Sequence, residues 1–370
     1  MTRADAESLP SASRRAAAAI AAAGIAILLV TSLPPPQRIL SRHNNGDITV
    51  YFNYAQRTFD GQVPYRDFRL EYPPGALPVL LAAGPANDGY YNRFRLLMLV
   101  LATGSIVLLV AALFGAGADA AAIAAGVLVP ATLPLTLGPG LVFERFDLWP
   151  VFLMLLAVVA LLRGHQLLAL VALSIGAVAK LFPLALVPLV ILARRGHVHL
   201  RRDVAIATAV GLAFLLPFGA IAPRGLGHVG SLLIRRPLQS ESLGASILLA
   251  SHRLDLYTPM TYLSIGNSWD LAGLAAKVVA VVTSLAGAAA LVAVWFMSHA
   301  AGADPASCFW QSRRSWSRSS PLGRSSRPST WCGLPLQLRS PSDEPGPLCC
   351  RRRSARRSSL STSTTGVPST

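Results

Sequence analysis

The sequence is poor in charged residues, which make up only 14% of its 370 residues, whereas 53% are hydrophobic. A soluble domain carries about 25% charged residues, so this shortage excludes an ordinary soluble domain and predicts a polytopic membrane protein. Lysine is scarce, since Lys180 is the only lysine before Lys277. Cysteine is absent before residue 301, so the first 300 residues cannot form a thiolate metal site.

The tail, residues 301–370, has a different composition from the rest of the chain. Its eleven arginines and three acidic residues contribute +8 to the net charge of +16. Enrichment in Arg, Ser, Pro, Trp and Cys is typical of GC-rich coding DNA read out of frame, so we expect a frameshift near residues 300–306, a disordered tail and no nucleic-acid partner. The alternative is a disordered Arg/Ser segment that binds RNA or anionic lipid. The sequence therefore predicts a membrane domain, residues 1–300, followed by this tail.

Hydrophobic runs predict about eight membrane crossings, since a helix needs roughly 20 apolar residues to span a bilayer. One stretch, residues 166–193, is counted as two crossings because Pro183 should break the helix near Lys180. Basic residues on both sides of that stretch also require an even number of crossings. The runs occupy residues 16–33, 96–114, 120–137, 148–162, 166–193, 204–221 and 271–296.

Charge placement predicts the orientation. Arg14 and Arg15 precede the first run, which places the N-terminus in the cytoplasm. Four segments then lie outside: the long loop (residues 35–92), residues 138–147, the break at Lys180, and the second loop (residues 223–270). These segments hold the unusual polar residues, so we expect an active site on the outer face of a multi-pass protein of the cell membrane.

The long loop is the most unusual part of the predicted membrane domain. Connections longer than about 12–15 residues are usually functional or disordered. This one is rich in tyrosine, proline and paired charges, which favours a functional loop. Its most distinctive stretches are residues 46–51 (GDITVY) and residues 61–75 (GQVPYRDFRLEYPPG).

These stretches resemble family 87 of the glycosyltransferases, within the GT-C superfamily of membrane enzymes. The resemblance covers roughly residues 40–250. It implies an all-α, polytopic bundle that transfers a hexose, often mannose, from a polyprenyl-phosphate donor to a lipid-linked or cell-envelope glycan acceptor. The matching residues are Asp47, Tyr51, Gly61, Pro64-Tyr65, Asp67, Glu71-Tyr72-Pro73-Pro74-Gly75, Arg145-Phe146-Asp147 and Ala179-Lys180-Leu181-Phe182-Pro183.

The resemblance also implies that Asp47, just after the first helix, is the catalytic base. An inverting transfer needs a carboxylate within hydrogen-bond reach of the acceptor hydroxyl whose proton it accepts. The alternative is that Asp47 caps a short interfacial helix running through Tyr51 and Tyr54.

Four cations are candidate ligands of the donor phosphate, whose developing charge fixed cations would stabilise. Lys180 interrupts an apolar run, and an ionisable residue inside a membrane segment is a functional-site hypothesis. The alternative is that Lys180 extends its ammonium group to the lipid headgroups. Arg145, Arg235 and Arg236 are further candidates, with contact to surface lipid as their alternative.

Three tyrosines of the long loop, Tyr51, Tyr65 and Tyr72, are candidates for stacking on sugar rings, with an interfacial aromatic belt as the alternative. Asp67 and Glu71 could contact the acceptor, or could pair with nearby arginines and fix the loop. The second loop offers weaker acceptor candidates in Gln239, Glu241 and Ser242.

The sequence indicates no cofactor and no metal site. It has no DxD pair and no glycine-rich nucleotide loop, which fits a lipid-phosphate donor, and its seven histidines lack metal-ligand spacing. The expected partners are the donor lipid, the glycan acceptor and the bilayer. The alternative function is a transporter or flippase of a lipid-linked glycan. A transporter would place its charges near the bilayer midplane within inverted repeats, and the sequence shows no internal repeat.

Overall fold

In the computed structural model, the residues described are 11–32, 47–85, 87–193, 199–235, 237–240, 242–263 and 269–300. The tail and its predicted frameshift lie outside them. The described chain is mostly helical. Its α-helices are α1 (Ser11–Ser32), α2 (Asp47–Phe59), α3 (Leu77–Ala82), α4 (Tyr90–Gly115), α5 (Ala120–Leu137), α6 (Pro139–Phe143), α7 (Leu148–Leu162), α8 (Gln166–Ala179), α9 (Val187–Ala193), α10 (Leu200–Ile221), α11 (Pro223–Arg235), α12 (Leu243–His252) and α13 (Leu274–Ala300).

Within the described ranges, five helices are long and apolar enough to cross a membrane: α1, α4, α5, α10 and α13. The predicted crossings at α7 and α8 form apolar helices of 15 and 14 residues, and α9 has only 7. These five helices confirm the prediction of a mostly helical, polytopic membrane protein. The count of about eight crossings stays a prediction.

The predicted helix break is present. At Lys180 the backbone is extended, with φ −156° and ψ 142°, and this residue ends α8. A 3₁₀ helix follows at Phe182–Leu186, with Pro183 in its first turn, and leads into α9. Proline fits there because the first residues of a helix need no intrahelical N–H donor.

The described part of the long loop is folded into the core. Helix α2 buries one face through Ile48, Tyr51, Tyr54 and Ala55, a spacing that matches the helical repeat. These side chains join a hydrophobic cluster that also contains residues of α1, α4 and α5. Burying this face stabilises a helix that would be marginal on its own at 13 residues. The described part of the long loop is therefore packed into the scaffold.

The second loop contains a small antiparallel sheet that was not predicted from the sequence. Its strands are β1 (Leu238–Gln239), β2 (Met260–Leu263) and β3 (Trp269–Ala272), in the order β1-β3-β2. Leu238 and Leu271 of this sheet pack with residues of α12 and α13 in a separate hydrophobic cluster. Because Leu271 belongs to β3, the last predicted crossing starts three residues late, at Leu274.

Candidate active site

Helix α2 places Asp47 at the start of the candidate site. The carboxylate lies in the first turn of the helix, where the helix dipole favours a negative charge. Arg145 Nε lies 3.0 Å from Asp47 Oδ2. Arg145 belongs to the short link between α6 and α7, so this ion pair joins the long loop to the link. The predicted base and one predicted phosphate ligand are therefore neighbours.

Lys180 forms a second ion pair in the same region. Its ammonium group contacts the Asp147 carboxylate at the end of the α6–α7 link. The extended backbone at Lys180 ends α8, so the side chain projects from the helix break. The ammonium nitrogen also lies 5.5 Å from the centre of the Phe146 ring, a favourable cation–π distance. The sequence alone predicted no role for Asp147.

The two ion pairs are close together because they share one link. Arg145 and Asp147 flank Phe146 in the sequence, and each binds a partner from a different segment. We call Asp47, Arg145, Asp147 and Lys180 the charge cluster. It contains two carboxylates and two cations, so its formal charge is zero. All four side chains are partly exposed, by 29% to 40%, so the rest of the chain does not cover them completely.

Aromatic rings hold the charge cluster in place. The Phe146 ring centre lies 4.8 Å from that of Tyr72 and 5.8 Å from that of Tyr51, both with edge-to-face geometry. The Tyr51 and Tyr72 rings also contact each other at 5.8 Å. Such pairs contribute about 0.5–1.5 kcal/mol each beyond simple burial. The aromatic contacts therefore fix the link against the long loop.

The two tyrosine hydroxyls at this junction remain protonated. Burial raises the pKa of Tyr51, and the nearby Tyr72 and Asp47 raise it further. Burial also raises the pKa of Tyr72, with Asp47 as the next cause. Negative charge from Asp47 therefore acts on both hydroxyls, which shows that the three groups lie near one another. Neutral hydroxyls can act as hydrogen-bond donors at this site.

A 3₁₀ turn, Pro74–Ala76, positions Tyr72 against the helices. The indole N–H of Trp149 in α7 donates a hydrogen bond to the Gly75 carbonyl at 3.3 Å. Gly75 also approaches the backbone of α8 so closely that an added Cβ would lie 2.5 Å from the Val178 carbonyl carbon. The long loop thus touches the last two residues of α8, directly before the break at Lys180.

Tyr65 has a structural role beside the site. Its hydroxyl donates a hydrogen bond to the Tyr72 carbonyl at 2.7 Å, and its ring packs 5.0 Å from that of Phe218 in α10. Its φ is +67°, an uncommon conformation for a residue other than glycine. The Tyr65 carbonyl also lies against Gly225 of α11, where a Cβ would be only 2.0 Å away.

These contacts correct the expectation that all three tyrosines stack on sugar rings. Stacking needs an exposed ring face, but Tyr51 is 1% exposed and Tyr65 is 6% exposed. Both rings belong to the hydrophobic core, which also argues against an interfacial aromatic belt for them. Tyr72 is half-buried and lies beside Asp47, so it remains a candidate contact for a substrate.

For Asp67 the structure favours the structural alternative. Arg66 Nε donates to Asp67 Oδ1 at 2.9 Å, and the Val63 backbone N–H donates to Oδ2 at 2.7 Å. The hydrogen bond from Arg66, and after it the one from Val63, lower the pKa of Asp67 to about 2, and the Arg66 bond has the larger effect. Asp67 therefore fixes the local turn. Glu71 lies near Tyr54, where its charge adds to burial in raising the pKa of that hydroxyl.

The second-loop candidates are only partly described. Arg235 is the last residue of α11, whereas Arg236 and Glu241 lie outside the described residues. Gln239 lies in β1. The Ser242 hydroxyl caps α12 by accepting a hydrogen bond from the Ala245 backbone N–H at 3.2 Å. Ser242 therefore has a local structural role.

The charge cluster combines a carboxylate that could accept a proton with two cations that could hold an anion. Glu144, next to Arg145, pairs instead with Arg95 of α4 and anchors the link from its other side. Among the residues that the structure describes, no His, Cys, Asp or Glu side chains are grouped in a way that could hold a metal ion. No protein-family model, curated protein or solved structure matches this chain.

Proposed function

We propose that this chain is a GT-C-type membrane glycosyltransferase. It would transfer a hexose, mannose in many members of the family that it resembles, from a polyprenyl-phosphate donor to a lipid-linked or cell-envelope glycan on the outer face of the cytoplasmic membrane. The observation that supports this proposal is the proximity of Asp47 to Arg145, beside the Asp147–Lys180 pair. A base and two cations are what such a transfer requires.

In the proposed reaction, the acceptor hydroxyl oxygen attacks the anomeric carbon of the donor sugar, with inversion. Asp47 accepts the hydroxyl proton as the new C–O bond forms. The bond between the anomeric carbon and the phosphate oxygen breaks, and polyprenyl phosphate leaves with the electron pair. Arg145 and Lys180 stabilise the negative charge that grows on the phosphate. Tyr72 would donate a hydrogen bond to a substrate oxygen.

The proposal predicts that Asp47→Asn abolishes transfer. Loss of a general base typically lowers a rate by about 10²–10⁴-fold, and asparagine keeps the size of the side chain. The measurement is transfer of labelled mannose from polyprenyl-phosphate mannose to a short mannoside acceptor by the purified protein in lipid vesicles. Asp60→Asn is the control, because Asp60 is exposed just beyond the other end of α2.

Full activity of a correctly folded Asp47→Asn protein would rule out Asp47 as the base. The same assay separates the enzyme from a transporter or flippase. A flippase would move the donor lipid across the vesicle membrane and form no glycosidic bond.

A further inference from the structure

Both cations of the charge cluster already have anionic partners. Arg145 is paired with Asp47, and Lys180 is paired with Asp147. An arginine prefers a bidentate contact to phosphate or carboxylate, so the same guanidinium can exchange one anion for the other. The structure thus shows each proposed phosphate ligand bound to a carboxylate of the chain itself.

We propose that Asp47 and Asp147 are internal counter-ions, which the donor phosphate displaces from Arg145 and Lys180. This inference rests on the proposed function and adds a role for Asp147. Asp147 is a positioning residue that holds Lys180 at the helix break until the donor binds. Before the donor binds, Asp47 is likewise paired with Arg145. It is released when the donor phosphate binds Arg145 instead.

The exposure of the two pairs makes this exchange feasible. The side chains are 29% and 37% exposed in the Arg145–Asp47 pair, and 39% and 40% exposed in the Lys180–Asp147 pair. Ion pairs in contact with solvent are weak, so an incoming phosphate can break them. Meanwhile the pairing with Asp147 keeps the Lys180 ammonium close to the Phe146 ring, which reduces the ordering cost of binding the donor.

The exchange also couples donor binding to catalysis. A neighbouring cation stabilises the charged form of a carboxylate and so makes it a weaker base. When the donor phosphate occupies Arg145, Asp47 loses that cation and becomes a better proton acceptor. The base would therefore become effective only in a site that already holds the donor.

The test is the affinity of the full-length protein for a polyprenyl monophosphate in nanodiscs, measured by calorimetry. Asp47→Asn and Asp147→Asn each remove a competitor for a cation, so each should tighten binding about 2- to 5-fold, as expected for a solvent-exposed pair. Arg145→Gln and Lys180→Met should weaken binding. A carboxylate with a purely structural role gives no tightening.

Double variants make the test specific. Asp47→Asn should have no effect on affinity in the Arg145→Gln background, and Asp147→Asn should have none in the Lys180→Met background. The matched control is Asp60→Asn, which removes one carboxylate charge from an exposed position outside the charge cluster. It should leave the affinity unchanged, because Asp60 does not belong to either ion pair of the cluster.

Two outcomes separate this inference from the proposed function. If the wild-type protein transfers sugar but neither folded carboxylate variant binds polyprenyl monophosphate more tightly, the counter-ion role is overturned and the enzyme remains. If both variants bind more tightly but the wild-type protein forms no glycosidic bond, the counter-ion role stands and the enzyme is overturned. Asp47→Ser provides a second variant if Asp47→Asn fails to fold.

Discussion

Lys180 shows how far a single residue can be interpreted from the sequence. A lone lysine followed by Leu-Phe-Pro predicts both a helix break and a functional cation, and the structure confirms the break. Its partner was not predicted, although an intramembrane cation implies a nearby acid. Asp147 lies 33 positions earlier, and only the packing of α7 beside α8 brings the two side chains together.

At the residue scale, Lys180→Met should weaken binding of the proposed polyprenyl-phosphate donor by tenfold or more. A hydrogen bond to a charged group contributes about 1.5–3 kcal/mol, and 1.4 kcal/mol corresponds to a factor of ten. Methionine keeps the apolar stem that packs at the break. The measurement is donor affinity in detergent or nanodiscs, with circular dichroism to verify the fold.

Lys277→Met is the matched control, because Lys277 is exposed near the start of α13 and lies outside the charge cluster. Equal donor affinity in the Lys180→Met and wild-type proteins would remove Lys180 from the phosphate site. Equal losses in the two variants would indicate a general effect of surface charge.

At the scale of elements, the turn at Pro74–Ala76 links the long loop to the helices. Its Gly75 carbonyl accepts a hydrogen bond from α7, and its Cα lies against the backbone of α8. The sequence identified the Tyr72-Pro73-Pro74-Gly75 motif but not the helix that it contacts. Local sequence predicts a rigid turn through proline, whereas the contact depends on tertiary packing.

Gly75→Ala should destabilise the protein and reduce transfer together. The added Cβ would lie 2.5 Å from the Val178 carbonyl carbon and 2.6 Å from the Ala179 nitrogen. Backbone atoms cannot move aside as a flexible side chain can, and overpacking of this kind costs about 1–3 kcal/mol. Thermal unfolding and sugar transfer are the two measurements.

The control for this substitution is Gly227→Ala in α11, where an added Cβ meets no atom within 4 Å. That variant should be as stable as the wild type or slightly more so, because alanine favours helix. A Gly75→Ala protein with unchanged stability would show that the turn and α8 can move apart easily.

The small sheet marks the limit of sequence-based prediction for elements. Strand β1 has two residues and pairs with β3, so that Leu238 lies opposite Leu271, 33 positions away. Neither strand has the length or the alternation that predicts a strand by itself. Pairing and burial against α12 and α13 stabilise the sheet, and these contacts are not visible in a local window.

At the scale of the whole molecule, the coarse architecture follows from composition, whereas the site follows from folding. Long apolar runs predicted the five long helices directly, because length and hydropathy determine whether a helix can span a membrane. The charge cluster combines Asp47, the α6–α7 link and Lys180. Asp47 lies some hundred residues before the link in the sequence, and Lys180 lies some thirty residues after it. The family resemblance identified most of these residues, but not the pairs that they form.

The predicted orientation can be tested on intact cells. In a protein whose four native cysteines are replaced by serine, Asp60→Cys in the long loop should react with a maleimide that cannot cross membranes. His165→Cys, between α7 and α8, should react only after the membrane is permeabilised. Both positions are exposed in the structure.

This pair of variants serves as its own control, since each reports one face of the membrane. The reverse labelling pattern would place the charge cluster on the cytoplasmic side. A donor presented at the outer face could not reach it there.

The contacts at Gly75 and Gly225 have a genetic consequence. At both positions the long loop meets a helix backbone to backbone, with no room for a Cβ. Every missense change in a glycine codon introduces a Cβ, so no single amino-acid replacement preserves either contact. In a library that samples all codons of the gene, these two positions should therefore retain only synonymous changes among the active clones, even where the neighbouring side chains vary freely.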